Sequence, residues 1–367
     1  MHILITADTV GGVWTYAREL VTGLVRRGIR VTLVSFGRIP EVGQAAWIDG
    51  VRNCDFHPSA FRLEWMQDSA ADVETSSEYL LGIIRDSDPD LLHLNQYCYG
   101  ALPIDIPKIV VAHSDVFGWW NAVHGQDPPD SDWSRWYRST VKRGLEGAST
   151  VIAPSRWMLR ELQQHYGRTA NTAVIYNGRS PHHFNPHTAK EDLVVSIGRL
   201  WDEAKQVSVL TRRDLGCRVT VAGAWQHPDE AQHNPNLTSP EWIDAKGILS
   251  CTQVQCLFSR ASIYAATSRY EPFGLAPVEA AFSRCALVAN DMPSLRELWR
   301  ETAVYFDAND ADSLERAISS LRRDRILRRH YAELAYQRAR RLFSADRMID
   351  EYIALYHSLV GERTMAA

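Results

Sequence analysis

Two doubly wound α/β domains are predicted from three observations: short β-branched runs alternate with amphipathic stretches, the rhythm breaks once, and it restarts beyond the break. The first series holds HILIT (2–6), an amphipathic stretch (13–27), VTLVSF (31–36), LLHL (91–94), IVVAHS (109–114) and TVIAPS (150–155). Strand, helix, strand in this order implies a parallel sheet covered on both faces. The helix is supported by Val13, Ala17, Leu20, Val21 and Leu24, which recur at threes and fours, and Gly28 supplies a C-terminal stop. The break is VIYNGRSPHHFNP (174–186), rich in Gly, Pro, Asn and His, which places the join near residues 170–190. The second series holds LVVSIG (193–198), RVTVAG (218–223), SIYAAT (262–267), CALVAN (285–290) and AVYF (303–306), and residues 346–360 add a last helix. Two such domains are expected to face each other across a cleft, with ligands at the carboxyl ends of the strands.

A chain of 367 residues exceeds what one hydrophobic core usually covers, in keeping with two domains. Charged residues make up 23% and the net charge is −4, so bulk charge indicates no nucleic-acid partner. The cysteines (Cys54, Cys98, Cys217, Cys251, Cys256, Cys285) form no Cys-x-x-Cys pair and read as buried thiols of a reducing compartment. The start, MHILITADTVGG, has no cationic leader, and no apolar run approaches the roughly 20 residues of a spanning helix; a cytoplasmic protein is expected.

Chemistry concentrates in two places. Gly11 and Gly12 separate the first strand from its helix, where a ligand phosphate or sugar can approach backbone N–H groups at a positive helix end. A plain turn pair is the alternative, and no third glycine completes a dinucleotide fingerprint. In EPFGLAPVE (271–279), Pro272 and Gly274 delay helix until about Gly274 or Leu275, and Pro277 fits a first turn. The N–H groups of Gly274, Leu275 and Ala276 then form an anion site suited to a diphosphate. Glu279, about one turn in, can accept from a diol such as a ribose, and Glu271 can hold sugar hydroxyls beyond the phosphates. Dipole complementation and a glycosidase carboxylate pair are the rival readings, though a general acid sits badly beside a bound diphosphate.

EPFGLAPVE followed by AAFSRCALVANDMPSLREL resembles the Glu, seven residues, Glu signature of retaining glycosyltransferases of family 4, which have the GT-B fold. The glycines at 11–12, APSRWMLREL (153–162), VIYNGRSPHHF (174–184) and SIGRLWDEAKQ (196–206) match further landmarks in order, so the resemblance covers nearly the whole chain. It implies a Rossmann-like acceptor-binding domain at 1–172, a Rossmann-like nucleotide-sugar domain at 173–345, and a helix at 346–367 that packs back on the first. It further implies that Glu279 binds the ribose, Glu271 the donor sugar, the amides at 274–276 the diphosphate, and Arg199 with Lys205 the phosphates as paired cations. His113, at the carboxyl edge of its strand, resembles the histidine that contacts the donor sugar. The catalytic set is then His113, Glu271, Arg199 and Lys205, and the donor-binding set Gly11, Gly12, Phe273, Gly274, Leu275, Ala276 and Glu279. This chain departs from the family in one extra residue between Arg199 and Lys205, in Gln206 where a glycine is usual, in SRC (283–285) where a glycine is common, and in DMPSLREL (291–298), which lacks the usual glycine pair.

The implied activity is metal-independent transfer of a hexose, with retention, from a nucleoside diphosphate sugar (UDP rather than GDP) to a sugar, lipid-linked or small-molecule acceptor. No cofactor is expected, and membrane contact is at most peripheral, at the inner face. The alternatives are a nucleotide-sugar epimerase or phosphorylase of the same fold, and a non-catalytic nucleotide-sugar-binding subunit. Asp86, Asp88 and Asp90 have metal-like spacing but lead straight into a strand, so they read as a turn. Trp119, Trp120, Trp133, Trp136 and Tyr137 suit either core packing or stacking on an acceptor sugar. The basic run at 322–341 reads as one solvated helix whose partners, Asp324 and Glu333, lie on the helix itself.

Overall fold

The first apolar runs lack polar alternation because both of their faces are covered. Every residue of β1 (His2–Asp8) is buried, and β2 (Arg30–Phe36) is exposed only at Arg30. The computed structural model describes residues 1–225 and 240–366. The remaining strands of the first sheet are β3 (Cys54–Pro58), β4 (Leu91–Leu94), β5 (Lys108–Val111), β6 (Thr150–Ala153) and β7 (Thr172–Val174). They pair in parallel in the order β3-β2-β1-β4-β5-β6-β7. The second sheet, among the described residues, is β8 (Leu193–Ile197), β9 (Arg218–Ala222), β10 (Ile243–Ala245), β11 (Ile263–Ala266), β12 (Ala286–Asn290) and β13 (Val304–Phe306), parallel and ordered β10-β9-β8-β11-β12-β13. Both are doubly wound sheets. The order reverses between β1 and β4 in one and between β8 and β11 in the other, and ligands of such sheets bind outside the carboxyl ends of the strands at that reversal.

The chain divides into Met1–Asn121, Gln126–Gly178 and Ala345–Ala367 in one unit, and Ala122–Gly125 and Arg179–Ser344 in the other. The boundary thus falls after Gly178 and not after residue 172, because Thr172–Val174 pairs with β6 as the last strand of the first sheet. In the first unit the helices Gly12–Arg26 and Ala345–Ala366 share a core of Leu20, Leu24, Met348, Ile349 and Tyr352. Gly23 makes room for this: a Cβ there would lie 2.0 Å from the Ile349 Cδ1 atom.

Two readings need correction. The thiols are not all buried: Cys98 and Cys285 are, Cys54 and Cys217 are half-buried, and Cys251 and Cys256 are exposed on the helix Cys251–Arg260. The basic run is not one helix. Asp324 stops Ala311–Arg323 and caps Arg325–Leu342, accepting from Ile326 and Leu327 N–H at 2.9 Å each. Glu333 pairs with Arg284 Nε, at 3.1 Å, from outside the helix.

His93 closes the polar part of the first core. Its ring lies 3.1 Å from the Tyr16 hydroxyl through Nε2 and 2.7 Å from the Tyr356 hydroxyl through Nδ1, and burial pushes its pKa down to about 3. The unfolded imidazole gains its proton near 6.5 and the folded one only near 3, so stability is full above about pH 6.5 and falls as the pH drops through that window. Burial raises the pKa of Glu64 and of Asp115, which act in the opposite sense, so the His93 contribution is read by difference from a variant. His93→Phe should shrink the loss of unfolding free energy between pH 7 and pH 5 by about 2 kcal/mol. Urea unfolding at the two pH values measures it; an unchanged difference would show that His93 is not a buried neutral imidazole.

Candidate functional site

The second unit gathers the sequence-predicted residues at its strand reversal. After β8 the chain passes Gly198 and turns at 199–205 under the control of Asp202. The Asp202 carboxylate accepts from Ala204 N–H (3.0 Å) and pairs with Arg199 (2.7 Å), while its carbonyl accepts from Lys205 N–H (2.8 Å). Arg199 also lies over the Trp201 ring at 5.3 Å. No side chain fits between the ends of β8 and β9: a Cβ on Gly223, whose φ is +140°, would lie 1.6 Å from the Gly198 carbonyl oxygen. The Lys205 stem crosses Gly198, with Cδ 3.4 Å from where a Cβ would stand.

The segment after β11 fastens onto this turn. Thr267 Oγ1 donates to the Lys205 carbonyl and Arg269 N–H to the Ala204 carbonyl, both at 2.7 Å. Lys205 Nζ therefore meets Glu271 Oε2 at 2.6 Å, and Ser268 Oγ donates to the same oxygen at 3.0 Å. The side chains of the ion pair are 20% and 14% exposed, dry enough to strengthen the contact and open enough for a ligand to reach it. Gly274 then begins the helix Leu275–Phe282 as its N-cap at φ +83°. That left-handed turn opens a helix whose first amides have no intrahelical acceptor, and it leaves the space a side chain would take to Glu271, whose Cγ is 3.1 Å from an added Cβ. The Phe273 ring is buried and packs edge to face on Phe343 at 5.3 Å. Glu279, in the second turn of the helix, accepts at Oε1 from Arg179 Nε at 2.7 Å.

Gln206 adopts the left-handed conformation, φ 47° and ψ 36°. This is why glycine suits the position; a side chain there costs about 1–2 kcal/mol of backbone strain, offset here by the bond from its Nε2 to Asn309 Oδ1.

The first unit presents Gly11, at φ +103°, as N-cap of the helix Gly12–Arg26 at the β1/β4 reversal. His113 follows β5, and burial pushes it down to about 3, so it is neutral at pH 7. Its tautomer is fixed by Asn95, which follows β4. Asn95 Nδ2 donates to the Thr6 carbonyl (2.6 Å), so Oδ1 faces His113 Nε2 (2.7 Å), which must carry the proton and leave Nδ1 as an acceptor. Tyr16 packs on the His113 ring edge to face, at 4.5 Å. Of the aromatic cluster, Trp133 stacks on buried Tyr137 at 5.7 Å and donates to the Met66 carbonyl, so these two are structural. Trp119 and Trp120 are half-buried on the helix Val116–His124, as is Trp136 on Asp132–Glu146. Asp90 accepts from His2 N–H, and among the described residues no group of three or more His, Cys, Asp or Glu could hold a metal.

Two family models match in tandem, Glycosyltransferase Family 4 over residues 10–182 and Glycosyl transferases group 1 over 182–338. The chain belongs to glycosyltransferase family 4. Its fold is GT-B: sucrose-phosphate synthase from Thermosynechococcus elongatus matches it at TM-score 0.82 and 18% identity, over 99% of this chain and 100% of that one. Anabaena HepE, solved with UDP and glucose, matches at TM-score 0.75 and 16% identity, over 98% and 100%. Among curated relatives, the lipopolysaccharide core biosynthesis mannosyltransferase LpcC of Rhizobium leguminosarum bv. viciae is 36% identical over 111 residues, which is 30% of this chain and 32% of LpcC. The chain thus aligns with about a third of that relative's length.

Asp202, Ser268, Asn95 and Arg179 were not singled out in the sequence of this family 4 glycosyltransferase, although each sets the geometry of a residue that was. For Asp202 a signal exists, an aspartate immediately before a short turn, the usual capping position. Ser268 acts on Glu271 across 3 residues of sequence and Arg179 on Glu279 across 100, while Asn95, which acts on His113 across 18, is itself anchored on Thr6 across 89. Nothing local marks the two long pairings.

Proposed function

We propose that this family 4 glycosyltransferase moves a hexose from a nucleoside diphosphate sugar to a hydroxyl acceptor, with retention at the anomeric carbon. The observation that carries the proposal is the Lys205–Glu271 pair held beside the Gly274 helix start, at the strand reversal where a doubly wound sheet binds its ligand. In this reading the amides at 274–276 and the cations Arg199 and Lys205 take the diphosphate. Glu271 takes the sugar hydroxyls and Glu279 the ribose. Lys205 also offsets the repulsion between the diphosphate and Glu271. The bond from the anomeric carbon to the phosphate oxygen breaks with its electron pair leaving on the diphosphate. The acceptor hydroxyl bonds to the same face and its proton passes to the departing phosphate oxygen. Two fixed cations stabilise that oxygen electrostatically, so the reaction is proposed to need no metal.

On the family resemblance alone, His113 is proposed to contact the sugar, accepting a hydroxyl proton at Nδ1. UDP is favoured as the carrier, a choice supported by the UDP in HepE. The acceptor is proposed to be a saccharide or a lipid-linked saccharide in the cytoplasm; no described helix is long and apolar enough to cross a membrane. A thermal-shift screen over UDP- and GDP-sugars tests the donor. A ligand at 100 times its dissociation constant should stabilise by about 2.7 kcal/mol. Silence from every sugar nucleotide, or interconversion of the donor sugar without an acceptor, contradicts the proposal.

A further inference from the structure

Glu279 has three rotatable bonds, so a carboxylate at this position left to itself samples several directions. Here it is aimed. Arg179 Nε donates to Oε1 at 2.7 Å, with the two side chains 4% and 13% exposed. The arginine is itself held: its backbone N–H donates to the Phe343 carbonyl at 2.9 Å, it bridges Ser344, and its guanidinium lies 5.6 Å from the Phe184 ring centre. With Oε1 held by a donor on a fixed backbone, the Glu279 side chain is restricted to few of the directions it could otherwise sample.

We infer that Arg179 is a positioning residue that aims Glu279 and so makes the donor site selective for nucleotides with an intact ribose diol. This rests on the reading of Glu279 as the ribose-binding carboxylate. Two adjacent hydroxyls match one oriented carboxylate, and a nucleotide lacking one of them forfeits a charge-assisted hydrogen bond to it. The loss of such a bond at a half-buried carboxylate is what lets a site reject an analogue missing a single hydroxyl. A carboxylate free to turn would discriminate less, since it could follow whichever hydroxyl remained.

The test is calorimetric titration of UDP, 2′-deoxy-UDP, GDP and 2′-deoxy-GDP into the full chain, as wild type and as Arg179→Ala, Arg179→Lys, Glu279→Ala and the Arg179→Ala/Glu279→Ala pair. The wild type should bind a ribonucleotide about 10-fold or more tightly than its 2′-deoxy counterpart. Both Arg179 variants and Glu279→Ala should bring that ratio below about 3-fold, and the double variant should not lower it further. A pair that is only structural weakens both nucleotides alike and keeps the wild-type ratio in the Arg179 variants, which overturns the inference. If Glu279→Ala also keeps the ratio, or if the wild type shows none, the ribose reading of Glu279 falls with it. If Glu279→Ala loses the ratio while the Arg179 variants keep it, the ribose reading stands and only the role of Arg179 fails. Should Arg179→Ala not fold, Arg179→Lys carries the test, because it keeps the charge and removes the planar donor.

Discussion

Lys205→Ala is expected to lower kcat/KM for transfer by about 100- to 1,000-fold, or roughly 3–4 kcal/mol of transition-state stabilisation. Two losses combine in that figure. The departing diphosphate loses a cation placed by three backbone contacts: Lys205 N–H to Asp202, and Thr267 and Arg269 onto the 204–205 carbonyls. Glu271 meanwhile loses its partner at 2.6 Å while only 14% exposed, so a carboxylate is left to face a diphosphate. The fall should lie mainly in kcat when donor is saturating, because leaving-group charge grows only as the bond breaks. Initial rates across donor concentrations measure it. Activity within about 3-fold of wild type would remove Lys205 from the reaction.

Gly274→Ala is expected to lower donor affinity about 10-fold or more and the melting temperature by about 5 °C. The stability effect is local strain: φ +83° is a conformation that L side chains rarely adopt. The binding effect is steric. An added Cβ would stand 3.1 Å from Glu271 Cγ, 3.3 Å from Glu271 Cδ and 3.3 Å from Pro277 Cδ. The proline ring cannot turn aside, so Glu271 must yield, and with it the contact to Lys205. A variant that melts lower yet binds UDP and GDP as the wild type does would separate the turn from the site.

What was legible in the sequence was whatever depends on local pattern. The apolar runs became β1, β2, β8, β9, β11 and β12 because their burial on both faces writes itself as unbroken β-branched sequence. The helix start at Leu275 followed from Pro272, Gly274 and Pro277. The short strands β3, β7 and β10 were not legible: they lie at sheet edges, their residues other than Ile243 are not fully buried, and CDFHP or IDA carries no strand pattern alone. Missing β7 misplaced the domain boundary. Asp324 was read as an intrahelical partner when it is a cap between two helices, since a basic run conceals a break that only hydrogen bonding reveals. The residues that aim the site, Asn95 on His113 and Arg179 on Glu279, were invisible because tertiary packing brings each pair together: strand order for the first, and the tie of Arg179 to the Phe343–Ser344 backbone for the second, neither of which is written in one segment.

The central claim is that the turn and helix start at 271–279, with Lys205, form a nucleoside diphosphate site. Calorimetric titration of UDP and GDP into the wild-type chain and into Gly274→Ala tests it most directly. Saturable one-site binding of at least one nucleotide to the wild type, weakened about 10-fold or more by Gly274→Ala, is the predicted result. Binding of neither nucleotide to the wild type, or equal binding to both proteins, would contradict it.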